Sequence, residues 1–426
     1  MAAIQPLSAN DRVPFMDVLR GFAVLGIFIA NLAGFAFWSA ENPAIGQWAS
    51  SLDKRMAFLH HWFIEGKFYT LFSLLFGWGI ALQLHRLAQK GLEGINLIRR
   101  RLTIMFFLGL AHIVLLWPGD IVMFYALLGF PLLWMRHWST RKLLIVGGLL
   151  VLSPVVFYFL KMKLLWMNAP AGAMMEASNY LGKKLIGEPV FFNEAFFNII
   201  KGDSYLDLIK LNTIGLFQRY GYLFFVSRIP KVLGIFLIGY ALGKKGAFSN
   251  VLQNKRLLRA VSISGFAIGL PANYMLAHYM QNEGAYFGLQ WDGWYQTIWY
   301  AIGVAPLGFA YAAMLALAFN SGIGRKPLSI FQPVGKMAFS NYIFQSLVGV
   351  FTFYGIGIGM MGKIGPVWYT VFGVLVFTGQ ILLSKVWLRF FQYGPLEWLW
   401  RSATYGKRQA VKRSMVVKPL LQEPIL

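Results

Sequence analysis

Apolar residues fall in long runs separated by short polar stretches, and the length of those runs decides the class of structure. Apolar segments lie near 15–38, 67–84, 102–117, 120–135, 143–160, 222–243, 257–279, 294–319, 336–355 and 366–390. A helix needs about 20 apolar residues to cross a bilayer, and the runs lack the alternation that barrel strands would show. The pattern predicts an all-α, polytopic membrane bundle of about ten transmembrane helices. The third and fourth runs are short and joined by Trp117-Pro118-Gly119-Asp120, which reads as a tight hairpin or a re-entrant pair. Between the fifth and sixth runs, residues 161–221 mix apolar and polar positions. Asn193–Ile200 and Tyr205–Phe217 there read as amphipathic helices lying on the membrane or capping the bundle.

The polar stretches alternate in charge, which orients the bundle. Arg86, Lys90, Arg99, Arg100 and Arg101 fall between runs two and three; Arg136, Arg141 and Lys142 follow run four. Lys244, Lys245, Lys255, Arg256 and Arg259 follow run six, Arg325 and Lys326 follow run eight, and Arg401, Lys407, Arg408, Lys412, Arg413 and Lys418 end the chain. Intervening loops carry few bases. The positive-inside rule then puts both termini in the cytoplasm. The expected organisation is a five-helix half over 1–160, an extracytoplasmic connection over 161–221, a second five-helix half over 222–405 and a basic cytoplasmic tail over 406–426. The opening run is long enough to span, so a cleavable signal peptide is not expected.

Composition narrows the class further. Hydrophobic residues make up 58% of the 426 and charged residues 13%, about half the charged share of a soluble domain. This excludes a disordered chain, a nucleic-acid-binding domain and an ordinary cytosolic enzyme. The net charge of +23 is accounted for by cytoplasmic loops, so the expected partner is the lipid bilayer and not nucleic acid. Cysteine is absent, which removes disulfide and thiolate chemistry.

Ionisable and amide groups at hydrocarbon depth carry the functional information, because each is costly there unless paired or wet. Asp17 and Arg20 are three apart on one helical face, and Asn31 follows Arg20 by about three turns. The three form a polar stripe: one wall of a cavity, or an interfacial ion pair with one interhelical hydrogen bond. Arg101 and His112 repeat that spacing on another run, and the turn after His112 delivers Asp120. A carboxylate beside an imidazole orients it and raises its basicity, so His112 with Asp120 is the candidate general base. The alternative is a histidine bonded to a neighbouring helix, with Asp120 as an N-cap. Glu65 and Lys67 open the second run, as the outer mouth of a cavity or as an ordinary interfacial helix start. Asn341 and Gln345, four apart, would bind a polar substrate or glue helices. Arg228 and Lys231 around Pro230 would attract an anion or snorkel. Adjacent His60 and His61 point to different faces, no HExxH spacing occurs, and no metal is expected.

Several segments resemble the DUF418/YeiB-like membrane proteins. They are Asp17-Val18-Leu19-Arg20-Gly21-Phe22-Ala23 through Asn31, Glu65-Gly66-Lys67-Phe68, Leu71-Phe72-Ser73-Leu74-Leu75-Phe76-Gly77, and Arg100-Arg101-Leu102 through Gly109-Leu110-Ala111-His112. Gly119-Asp120-Ile121 with Tyr125-Ala126-Leu127, Gly335-Lys336-Met337-Ala338-Phe339-Ser340-Asn341-Tyr342 with Gln345-Ser346, and Gly394-Pro395-Leu396-Glu397-Trp398-Leu399-Trp400-Arg401 complete the set. The first half also looks like the transmembrane acyltransferase superfamily. That resemblance implies an enzyme of the bacterial cytoplasmic membrane that takes an acyl group from acyl-CoA and gives it to a small-molecule or lipid-linked acceptor. It departs from the acyltransferase-3 signature, an arginine and a histidine eleven residues apart on the first span, because Asn31 stands where that histidine would be. Under this reading His112 and Asp120 would be catalytic. Asp17, Arg20, Asn31, Glu65, Lys67, Arg101, Asn341 and Gln345 would bind substrate. A transporter or flippase for a polar or lipid-linked molecule is the alternative, weakened by the lack of evident repeats or broken-helix pairs; homo-oligomers are left open.

Overall fold

The computed structural model describes residues 13–38, 49–244, 248–281 and 283–412. The chain is a helical membrane protein. Its principal helices are α1 (Pro14–Ala36), α2 (Ser51–Phe63), α3 (Lys67–Gln89), α4 (Ile95–Leu115), α5 (Val122–Met135), α6 (Thr140–Lys163), α7 (Ala169–Leu185) and α8 (Glu194–Lys201). They continue with α9 (Tyr205–Phe225), α10 (Arg228–Gly243), α11 (Lys255–Tyr279), α12 (Trp291–Asn320), α13 (Ala338–Phe353), α14 (Pro366–Phe390) and α15 (Pro395–Tyr405). Among the described residues the only β pairing is an isolated bridge between Phe391 and Lys412.

Among those residues, six segments are long and apolar enough to cross a membrane: α1, α2 with α3, α6, α11, α12 and α14. Counting the bent pair α9 and α10 as one span makes up to seven. The difference from about ten lies in the shorter runs. With 14 residues, α5 rises about 21 Å against a hydrocarbon core of about 30 Å; α13, with 16, also falls short. In α4, Arg99, Arg100 and Arg101 occupy the second turn. The lipid-facing helices are the least covered by protein: only 28% of the apolar window is buried in α6 and in α14. Leu149, Leu152, Leu375, Leu382 and Leu383 project outward from them.

Lipid tails are as apolar as leucine, so helices in a bilayer associate by close packing and polar contacts. Here α10 wedges between α3 and α6, and α1 packs on α3, α13 and α14, so helices from the two ends of the sequence interleave. At the α3–α10 crossing a Cβ on Gly77 would lie 2.1 Å from the Phe236 carbonyl oxygen, and one on Gly239 2.2 Å from that of Leu74. Only glycine lets these two backbones touch. The short helix Gln332–Lys336 reaches α1 in the same way: a Cβ on Gly335 would sit 1.7 Å from the Asp17 carbonyl oxygen.

The connection over 161–221 is built of α7, α8 and most of α9. The expected amphipathic segments are found as α8 and as the first part of α9. The helix α9 does not stop at Phe217; it runs on to a 74° bend into α10, so a broken-helix pair is present after all. Ser227 at the bend is left-handed, with φ 51°, and Pro230 lies in the first turn beyond it. The carbonyls that end α9 are met by a lysine. Lys161, buried at the end of α6, donates to Phe224 O (2.7 Å), Phe225 O (2.8 Å) and Ser227 Oγ (2.8 Å). A cation there also complements the negative end of the helix dipole. The first residues of the basic tail fold back, with Gln392 N–H donating to Val411 O at 2.9 Å. Lys245, Arg413 and Lys418, assigned above to basic loop and tail, lie outside the described residues.

Candidate functional site

At one end of α1, Arg20 donates to Asp17 Oδ1 at 2.9 Å and to the Gly335 carbonyl at 3.2 Å. Asp17 is buried, and its Oδ2 has no partner. Arg101 lies within electrostatic reach of Arg20, Arg401 and Tyr405. Its guanidinium stacks 4.3 Å over the Trp400 ring, whose Nε1 donates to Arg101 O at 3.1 Å. The stripe expected on α1 therefore continues sideways into a basic group made by α1, α4 and α15. Asn31 is half-buried further along α1.

Glu397 fixes α15 in place. Its Oε1 accepts the Phe339 and Ser340 N–H groups at 2.7 and 3.1 Å, and its Oε2 accepts the Ser340 hydroxyl at 2.5 Å. A carboxylate thus caps the start of α13 from another helix, where the dipole favours negative charge. Burial pushes this carboxyl up from the ordinary glutamate value, against the opposing pull of those hydrogen bonds.

Three turns beyond Arg101, His112 and Asp120 meet as the spacing suggested. His112 Nδ1 lies 2.9 Å from Asp120 Oδ2, and both side chains are shut away from solvent. A carboxylate only accepts, so the proton of this contact is on Nδ1. Asp120 also caps α5, taking the Met123 N–H on Oδ1 at 2.6 Å; one carboxylate both holds the imidazole and caps the helix. His112 Nε2 is buried and has no hydrogen-bond partner. The Tyr342 ring lies 5.2 Å from the imidazole, and Arg219 is within electrostatic reach of Asp120 and Tyr342. Asn212 secures the turn after His112 by donating to Val114 O and Leu116 O at 3.3 and 3.1 Å.

Glu65 and Lys67 sit in the break between α2 and α3. Glu65 Oε2 lies 2.6 Å from His61 Nδ1, and the fully buried Lys67 donates to His61 O at 2.5 Å. Gly66 between them has φ 78°, a conformation that favours glycine. Across from this break lie Arg228 and Lys231, both within electrostatic reach of Glu65. An unbroken series of charged neighbours runs from Glu65 through Arg228 and Arg219 to Asp120.

The two amides face elsewhere. Asn341 Nδ2 donates to Ser384 Oγ at 3.0 Å, Gln345 Nε2 to Gln380 Oε1 at 2.8 Å, and Gln380 Nε2 to Asn341 O at 2.9 Å. They join α13 to α14, while Tyr342 points from α13 toward His112. Sequence reasoning passed over Arg219 and Lys161. Each is a base set in otherwise apolar surroundings within the connection, and that was the available signal. Among the described residues no three His, Asp or Glu side chains gather as metal ligands.

Comparison with known proteins gives the family. A family model described as "Protein of unknown function (DUF418)" matches residues 242–407. The chain is 31% identical over 425 residues to the uncharacterized protein YxaH of Bacillus subtilis, spanning 98% of this chain and 100% of that one. It is 30% identical over 415 residues to the uncharacterized protein YeiB of Escherichia coli, spanning 92% and 96%. The chain belongs to the DUF418/YeiB-like family. An uncharacterized 39.9 kDa protein from Bacillus acidopullulyticus is 26% identical over 408 residues, spanning 95% and 97%. No solved structure matches the chain. In this DUF418/YeiB-like protein the matched stretch covers α11–α15 and hence the Asn341–Gln345 interface. His112, Asp120, Glu65, Lys67 and Arg228 all precede it.

Proposed function

We propose that this protein is a membrane-embedded acyltransferase of the bacterial cytoplasmic membrane, with both termini inside, moving an acyl group from acyl-CoA to an acceptor at or across the bilayer. The observation that carries the reading is the His112–Asp120 pair, buried, with the tautomer fixed and Nε2 left without a partner. A buried polar atom without a partner calls for an explanation, and a proton to be taken from substrate is one. Arg20 and Arg101, on the cytoplasmic side by the charge rule, hold the donor's phosphates as guanidinium groups do. His112 lies eleven residues beyond Arg101 on the same face of α4, about 16 Å away, a distance suited to the donor's flexible pantetheine arm. Asn31 contacts the thioester or the acceptor. Asn341 and Gln345 act at one remove, holding α13 so that Tyr342 faces His112. Glu65 stands at the opposite entrance, with the buried Lys67 behind it.

In the reaction His112 Nε2 takes the proton from an acceptor hydroxyl or amine. The acceptor's oxygen or nitrogen forms a bond to the acyl carbon, the carbon–sulfur bond breaks, and the proton passes to the departing thiolate. The test is purified protein in detergent given radiolabelled acetyl-CoA and bacterial membrane extract. Label should move to an extractable acceptor with release of free CoA. No transfer and no thiol release with any extract would sink the proposal.

One observation favours a second reading. The bent pair α9–α10 brings a helix start and several bases into the bundle, as discontinuous helices do in transporters. Substrate uptake into proteoliposomes that survives His112→Ala would support transport over acyl transfer.

A further inference from the structure

Two helix breaks face each other inside the bundle. One precedes α3 and carries Glu65, Gly66 and Lys67; the other separates α9 from α10 and carries Arg228 and Lys231. Lys231 is 2% exposed, and its Nζ has no hydrogen-bond partner. That ammonium lies 3.4 Å from the centroid of the Tyr300 ring and 5.5 Å from that of Tyr69. The Arg228 guanidinium stands 5.4 Å from the Tyr69 ring and 5.5 Å from the Tyr222 ring. The Arg219 guanidinium stands 5.9 Å from the same Tyr222 ring, and its buried Nε has no partner. With Lys67, four bases line one aromatic-walled interior.

Among the described residues the carboxylates in electrostatic reach of them are Glu65 and Asp120, and both are already engaged: Glu65 by His61, Asp120 by His112 and the Met123 N–H. Aromatic faces soften the isolation of a cation but supply no counter-charge, and unpaired buried charge is costly. Lys67 at the start of α3 and Lys231 at the start of α10 are electrostatic neighbours, so the positive ends of both helix dipoles lie beside the same group. We infer that this interior is a binding site for a phosphate group, with Lys231 and Arg228 as its principal ligands and Arg219 and Lys67 completing the field. A bound phosphate would supply the counter-charge these bases lack, and guanidinium and ammonium donors suit its oxygens. The phosphate belongs either to a lipid head group or to a soluble phosphate ester. The inference stands on these bases alone and not on acyl transfer.

The experiment measures thermal unfolding and binding of full-length protein in uncharged detergent. One arm titrates inorganic phosphate, a second short-chain phosphatidic acid, each against potassium chloride at matched ionic strength. A rise in melting temperature beyond the chloride control is expected in at least one arm: phosphatidic acid alone assigns a lipid head group, inorganic phosphate a soluble ester. Lys231→Met should fold at least as well as wild type without ligand, yet bind the phosphate probe about tenfold or more weakly. Arg228→Gln is the second variant should the first not fold. The inference is overturned if neither probe exceeds chloride, or if both variants bind as wild type does. Neither readout involves acyl transfer, so failure here leaves the His112 proposal to be judged by its own assay.

Discussion

The α13–α14 contact and the interior around His112 and Lys231 both set polar side chains among apolar helices, to opposite ends. At the contact, Asn341, Gln345, Gln380 and Ser384 spend their donors on one another. In the interior, His112 Nε2, Lys231 Nζ and Arg219 Nε are buried with nothing to bond. Both sets lie among apolar helices, and the neutral amides of one and the ionisable bases of the other are alike costly there if left unpaired. Satisfaction separates them: a closed polar set joins helices, and an open one waits for a ligand.

The sharpest way to break this contrast is His112→Gln, which keeps a donor for Asp120 and removes the base. Label transfer from acetyl-CoA should fall about 100-fold or more, with the melting temperature close to wild type. A large loss of stability with unchanged turnover would move His112 into the structural set. Next comes Lys161→Met, which strips three acceptors at the end of α9 of their donor. It should cost about 2–4 kcal/mol, read by denaturant unfolding in mixed micelles. The closed set is tested by a double-mutant cycle. Gln345→Leu and Gln380→Leu alone should each cost about 1 kcal/mol, and the double variant less than the sum, because no amide is then stranded.

The smallest effect belongs to Glu397→Gln, below about 1 kcal/mol, and it should depend on pH. The Glu397 carboxyl is raised in the folded protein. Its protonated form therefore contributes stability that is complete below the ordinary carboxylate range and is lost as pH rises through the raised value. The advantage of wild type over Glu397→Gln should shrink on going from acidic to neutral pH, as read from paired melting temperatures. A constant difference would contradict this.

Much of the fold was legible because hydrophobic run length is a local property. The helices α1, α3, α6, α11, α12 and α14 begin and end within a few residues of the runs that announced them. The pairing of His112 with Asp120 was also legible, since a single tight turn joins them. The bend at Val226–Ser227 was hidden, because the run over 222–243 continues through it; Pro230 was its only punctuation. The direction of Asn341 and Gln345 was hidden for a different reason. Periodicity says that two residues share a face, and not which helix that face meets. Gln380 and Ser384, also four apart, were the matching half of that contact.

The cap on α13 comes from a residue 58 positions later in the chain. Chains emerge from the ribosome N-terminus first, so α13 enters the membrane with its leading amides bare. Its seat is completed only when the last described helix is being made. Assembly of this bundle is therefore finished from its end: a ribosome that stops before Glu397 leaves behind every long apolar segment and yet not the closed molecule.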